Sequence, residues 1–79
     1  MMDAGTAAAL RARAREVLEG EGAGPAPSPC TSVCRMDPAN GLCDGCLRSI
    51  DEIAGWGMLP DAQRRAVWRL LEQRAAALA

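Results

Sequence analysis

Four cysteines fall within seventeen residues, as Cys30-x3-Cys34-x8-Cys43-x2-Cys46, and the chain has no others. Two close pairs separated by a short loop suit a tetrahedral metal site, because each pair supplies two sulfurs from one tight turn. The intervening residues allow the pairs to fold together. Asp37-Pro38 starts a turn, and Asn40-Gly41 tolerates a positive φ. Gly45 lets the backbone between Cys43 and Cys46 bend until amide N–H groups face a sulfur. Pro29 stiffens the entry, and Arg35 and Arg48 stand where they offset thiolate charge. Cys30, Cys34, Cys43 and Cys46 are therefore the expected metal ligands, with Arg35, Arg48 and Gly45 supporting them. Two disulfides, or buried thiols without metal, are the plainer readings. A thioredoxin-like redox site lacks the βαβ pattern that should precede it.

The rest of the composition makes such a staple necessary. The chain has 79 residues, room for one domain, and 16 of its apolar residues are alanines that bury little area each. Two tryptophans are the only aromatic residues. A core this thin rarely supplies more than about 3–5 kcal/mol unaided. The absence of histidine excludes a Ser-His-Asp or Cys-His hydrolase. Nine arginines against ten acidic residues give a net charge of −1, and there is no lysine. Four thiolates around Zn²⁺ or an oxidised four-iron cluster would make the protein more acidic still, which argues against nucleic acid as partner. No stretch approaches the roughly 18–20 apolar residues that span a bilayer, and residues 1–20 lack the apolar run of a secretory signal. Heavy use of Ala, Arg and Gly points to a GC-rich bacterium, so a bacterial cytoplasm is the expected location. Structural disulfides are uncommon there, which favours metal over cystine.

Three zones divide the chain. Residues 1–19 form an N-terminal amphipathic helix, from about Thr6, with Leu10, Ala14, Val17 and Leu18 at helical spacing. Asp3 or Thr6 caps it and Gly20 ends it. Residues 20–28 form a Gly/Pro linker that lets this helix move relative to the remainder of the chain. Residues 29–79 form the four-cysteine metal-binding module with its C-terminal helix pair. After the cysteine loop, Ser49 and Glu52 make a capping box for a short helix carrying Ile50, Ile53, Ala54 and Trp56, which Gly55 and Gly57 end. Pro60 and Asp61 start the last helix. Val67, Leu70, Leu71 and Leu78 share its apolar face, while Asp61, Arg65, Arg69 and Glu72 line the opposite side as a solvated charge stripe. The fold class is thus small, metal-stabilised and mainly α: a four-cysteine loop followed by a two-helix hairpin, plus a separate N-terminal helix.

Sulfur-only coordination suits Zn²⁺ and iron–sulfur clusters alike, and neither ferredoxin-type spacing is present. At Pro29-Cys30, Cys34, Asp37, Gly41, Cys43, Gly45-Cys46, Arg48, Glu52-Ile53, Trp56 and Arg64-Arg65 to Val67, the chain resembles the domain-of-unknown-function 1289 family. These are short bacterial proteins described as predicted iron–sulfur proteins. The resemblance covers roughly Ser28 to Leu71. Ser49 stands where that family more often has Thr, and Pro60 where Ser or Thr usually starts the last helix. It implies a four-cysteine metal site without an established activity, and puts an iron–sulfur cluster level with zinc.

Arg48, Glu52 and Trp56 follow at i, i+4 and i+8 and share a helix face beside the loop. The bland reading is an Arg–Glu pair, a cap and a Trp covering the metal loop; the sharper one is a partner surface made of Glu52, Trp56, Arg64 and Trp68. Trp68 lies at the edge of the apolar stripe one turn from Arg64, where a cation–π contact and an interface anchor are both open. No nucleophile–base pair or open coordination position is evident, so no catalytic residue and no small-molecule substrate is expected. The functional expectation is a non-enzymatic four-cysteine accessory or interaction protein with a protein partner and no membrane association. An iron–sulfur electron carrier or redox sensor is one alternative. A nucleic-acid-associated zinc finger using Arg64, Arg65, Arg69 and Arg74 is the other.

Overall fold

A computed structural model describes residues 2–20, 25–29 and 35–78. Three helices carry the architecture: α1 (Ala4–Glu19), α2 (Ile50–Gly55) and α3 (Asp61–Leu78), with a single 3-10 turn at Trp56–Met58 joining α2 to α3. Among the described residues there is no strand; isolated antiparallel bridges pair Met36 with Cys43 and Leu42 with Ser49.

Each helix begins on a local signal. The Asp3 carboxylate accepts the Thr6 N–H at 2.7 Å, so Asp3 is the cap and Thr6 lies inside α1. That bond holds the Asp3 carboxyl below its ordinary range. Ser49 and Glu52 form the reciprocal capping box at the start of α2, with bonds of 3.3 and 2.7 Å. Pro60 precedes α3, and its carbonyl accepts the first helical bonds from Gln63 and Arg64. Asp61 then sits in the first turn, where a carboxylate suits the helix dipole.

The dominant helix pair is α1 with α3. Ala7, Leu10 and Ala14 from α1 meet Val67, Trp68, Leu71 and Ala75 from α3 in one core, with Val17, Leu18 and Leu78 at its edge. The N-terminal helix is therefore not separate. It covers the face of α3 that the sequence pattern assigned to a hairpin with α2. The reason is size: α2 is six residues long and buries no residue completely, whereas α1 offers four turns of small side chains that let a helix backbone approach closely. α2 meets α3 through polar contacts instead.

The buried stripe of α3 is also rotated from its expected position. Trp68, expected at the edge of the stripe, is fully buried, and Leu70, expected on the apolar face, is 41% exposed. Burying an indole removes more apolar surface from water than burying a leucine, so the helix turns toward Trp68. Arg65 leaves the expected charge stripe with it and is buried. Its guanidinium bonds the Asp61 carboxylate at 2.8 Å and the Val17 carbonyl of α1 at 2.8 Å.

Residues 25–29 are packed as a strap, not a loose connection. Ala26 is buried and its N–H donates to Asp61 Oδ1 at 2.6 Å. The Pro27 carbonyl accepts the Trp68 indole N–H at 2.9 Å, and the Ser28 carbonyl accepts Arg13 Nη2 at 3.0 Å. Arg13 also stands 5.3 Å from the Trp68 ring centroid, so the cation over this indole comes from α1 and not from Arg64. Residues 21–24, the Gly-rich part of the expected linker, lie outside the described residues.

Replacing Trp68 with Phe removes the bond to Pro27 and part of the buried ring. It should cost about 1–3 kcal/mol in urea unfolding followed by circular dichroism. Leu70→Ala, on the exposed side, should stay within about 0.5 kcal/mol of the parent chain. Equal losses at the two positions would contradict the observed rotation of α3.

Candidate metal centre

Two successive tight turns build the described half of the cysteine loop. In the first, the Asp37 side chain accepts the Ala39 N–H at 2.8 Å and its carbonyl accepts the Gly41 N–H at 2.8 Å. Asn40 Oδ1 accepts the Leu42 N–H at 2.9 Å, and Gly41 takes a φ of 70°. The turn reverses the chain as its Asp, Asn and Gly residues lead one to expect. The returning segment pairs with the outgoing one through Asp37 N–H to the Leu42 carbonyl and Asp44 N–H to the Arg35 carbonyl.

The second turn holds the sulfurs. The Cys43 carbonyl accepts the Leu47 N–H and the Cys43 N–H donates to the Arg48 carbonyl, both at 2.8 Å, closing a knuckle around Cys46. Leu47 has a φ of 60°, a left-handed conformation costing a non-glycine residue roughly 1–2 kcal/mol. Full burial of its side chain and the bond from Arg74 Nη1 to its carbonyl at 2.8 Å hold it there.

Cys43 and Cys46 are buried and neither is disulfide-bonded. The Gly45 N–H points at Cys43 Sγ at 3.4 Å, as the backbone freedom of a glycine there suggested. Burial pushes the Cys43 thiol up, but the N–H groups of Gly45 and Cys46, the Cys46 side chain and the Arg35 N–H outweigh it and hold the thiol below its ordinary range. Burial raises the Cys46 thiol, and the Arg48 guanidinium, whose Nε lies 3.2 Å from Cys46 Sγ, offsets only part of that. Cys43 thus faces backbone N–H donors, and Cys46 faces a fixed cation. Cys30 and Cys34 lie outside the described residues. Among the described residues no three or more His, Cys, Asp or Glu side chains gather as a metal-binding group.

The supporting residues divide in a way the sequence only half revealed. Arg35 is exposed, and its backbone N–H is what reaches Cys43 among the described residues. Arg48 is buried, as a partner of sulfur, and its guanidinium stands 5.3 Å from the Trp56 ring centroid. It does not pair with Glu52. Glu52 instead binds Arg74, at 2.8 Å, because α3 brings that arginine alongside α2. Trp56 is half-buried, with Arg64 5.5 Å from its centroid and bonded to its carbonyl at 3.1 Å. Trp68 belongs to the core and offers no partner surface. Arg74 is the contributor that the sequence pattern leaves out of the site. Its place on the apolar side of α3 was the available signal, since a cation there needs an acceptor. The arginines of the supposed nucleic-acid patch are dispersed: Arg65 and Arg74 reach inward and Arg64 lies on Trp56, leaving Arg69 exposed.

Residues 28–75 match the family model described as "Protein of unknown function (DUF1289)". Among curated relatives, the "Uncharacterized protein YdhL" of Escherichia coli K12 and of Shigella flexneri is 42% identical over 50 residues. The match covers 63% of this chain and 62% of the relatives' own length. No solved structure matches the chain.

The Glu52–Arg74 bridge should make stability acid-sensitive. Burial pushes Glu52 up, but the Arg74 guanidinium and the Ser49 N–H outweigh this, holding it below its ordinary value near 4.5. Below that value the unfolded chain takes up the proton first, so the bridge's contribution is present above pH 4.5 and is lost as pH falls through the lower folded value. Glu52→Gln should cost about 1 kcal/mol at pH 7 and progressively less in acid, read from urea midpoints across pH. A pH-independent difference would contradict the ionised bridge.

Proposed function

The chain belongs to the DUF1289 family, and we propose that it is a small four-cysteine metal-binding module, non-enzymatic, serving as an accessory or interaction protein. The observation that carries this reading is the Cys43–Cys46 knuckle: two buried sulfurs, one approached by the Gly45 amide and the other by the Arg48 guanidinium, with no disulfide between them. Such donors stabilise thiolate, the form that binds metal. Cys30 and Cys34 supply the remaining two sulfurs. Both flanks of the segment that carries them are anchored, by Trp68 and Arg13 on Pro27 and Ser28, and by Asp44 on Arg35.

This donor set fits Zn²⁺ or an iron–sulfur cluster. Either supplies a cross-link that the thin core lacks, and a cluster also supplies an electron-transfer centre. Four thiolates close the coordination shell, which leaves no position for a substrate and supports the non-enzymatic reading. A redox role is the second reading. It is favoured by the amide and guanidinium donors at the sulfurs, since hydrogen bonds and nearby positive charge set a cluster's potential. The inward-turned arginines weigh against a nucleic-acid partner and leave a protein as the partner class. No helix among the described residues is long and apolar enough to cross a membrane. A set of unbridged thiols suits a reducing bacterial cytoplasm.

Anaerobic isolation followed by elemental analysis and visible absorption tests this. The expected result is metal bound through the four cysteines: colourless with zinc, or brown and bleached by dithionite with iron and sulfide. Cys43→Ser and Cys46→Ser should each lose the metal. Metal-free protein with four reactive thiols would overturn the proposal, and colourless zinc protein would remove the redox reading alone.

A further inference from the structure

We propose that Arg48 is the counter-cation of the sulfur centre and, through Trp56 and Arg64, couples that centre to the start of α3; this rests on the metal-binding reading above. The other buried arginine, Arg65, has the Asp61 carboxylate, and the half-buried Arg74 has Glu52. Arg48 is 2% exposed, and among the described residues it pairs with no acidic side chain. Its Nε faces Cys46 Sγ at 3.2 Å and its guanidinium lies against the Trp56 indole. A cation withdrawn from water without an anion is strongly disfavoured. The anion that answers it is the metal–thiolate group, in which four sulfurs around a divalent ion carry net negative charge.

The geometry calls for arginine in particular. A planar guanidinium donates from its edge to sulfur while resting on an aromatic ring, two contacts that a lysine ammonium cannot make together. Cys43 takes its donor from the Gly45 backbone amide, so the influence of Arg48 centres on Cys46. Beyond it, Trp56 also meets Arg64, which bonds the Trp56 and Gly57 carbonyls and belongs to the first turns of α3. Charge gathered at the sulfurs strengthens the hold on Arg48 and so alters the surroundings of Trp56. Arg48 is a positioning residue for the metal and Trp56 is its reporter.

Co²⁺ titration of the full chain under anaerobic conditions, with affinity from chelator competition and tryptophan emission read in parallel, tests this. The parent chain should show sulfur-to-cobalt charge-transfer absorption and a change in emission. Trp56→Phe should bind Co²⁺ within about threefold of the parent and lose most of the emission change. Arg48→Gln should weaken Co²⁺ binding by about tenfold or more. Arg48→Lys, the variant that decides the matter if the glutamine chain does not fold, should recover most of the affinity through its charge without the Trp56 response. Arg48→Gln binding within threefold of the parent, with the emission change intact, would overturn the proposal. So would a lysine variant as weak as the glutamine one, because packing and not charge would then be responsible. A parent chain that takes up no Co²⁺ would overturn the metal reading beneath it as well.

Discussion

Too little apolar surface is available here for packing alone to fix the chain, and arginine supplies the missing connections. Arg13 reaches the Ser28 carbonyl, Arg64 those of Trp56 and Gly57, Arg65 that of Val17, and Arg74 that of Leu47. Each joins one segment to the backbone of another, or a helix to the turn before it. Hydrogen bonds from a charged donor contribute about 1.5–3 kcal/mol where they are shielded from water, more than a neutral bond. The Arg65 contact also has directional logic: Val17 lies in the last turn of α1, where carbonyls lack helical partners and a cation complements the dipole. Long stems let these side chains cover apolar surface while their heads cross between elements.

That pattern explains why the strap, the helix pair and the sulfur knuckle form one arrangement. Trp68 sits at its centre, closed by Pro27 of the strap on one side and by Arg13 and the apolar face of α1 on the other. The family match begins at residue 28, yet the helix that buries the matched part of α3 comes from residues before it. In this chain the N-terminal segment therefore completes the core of the family module. The knuckle is held from the same side, because Arg74 of α3 fixes the Leu47 carbonyl and Glu52 together.

What could be read from sequence was local chemistry. Asp3, Ser49 with Glu52, and Asn40-Gly41 are legible because a cap or turn needs particular side chains within three or four residues. Gly45 is legible in the same way as the source of the sulfur-facing amide. Contacts between distant segments are not. At 100° per residue, Leu70 and Trp68 border the same stripe of α3, and only the arrival of α1 decides which turns inward. Arg65 reads as solvated because nothing nearby in sequence shows that Val17 approaches it. Glu52 finds Arg74 instead of Arg48 for the same reason. The knuckle is legible at Cys43 and Cys46; Cys30 and Cys34 lie outside the described residues, and the proposal that they join it is drawn from their spacing.

X-ray absorption at the metal edge of protein isolated under anaerobic conditions probes the proposed four-cysteine site most directly. Four-cysteine coordination predicts a first shell made only of sulfur, four neighbours at about 2.3 Å, for zinc or iron alike. A shell containing nitrogen or oxygen, or only the two sulfurs of Cys43 and Cys46, would contradict it.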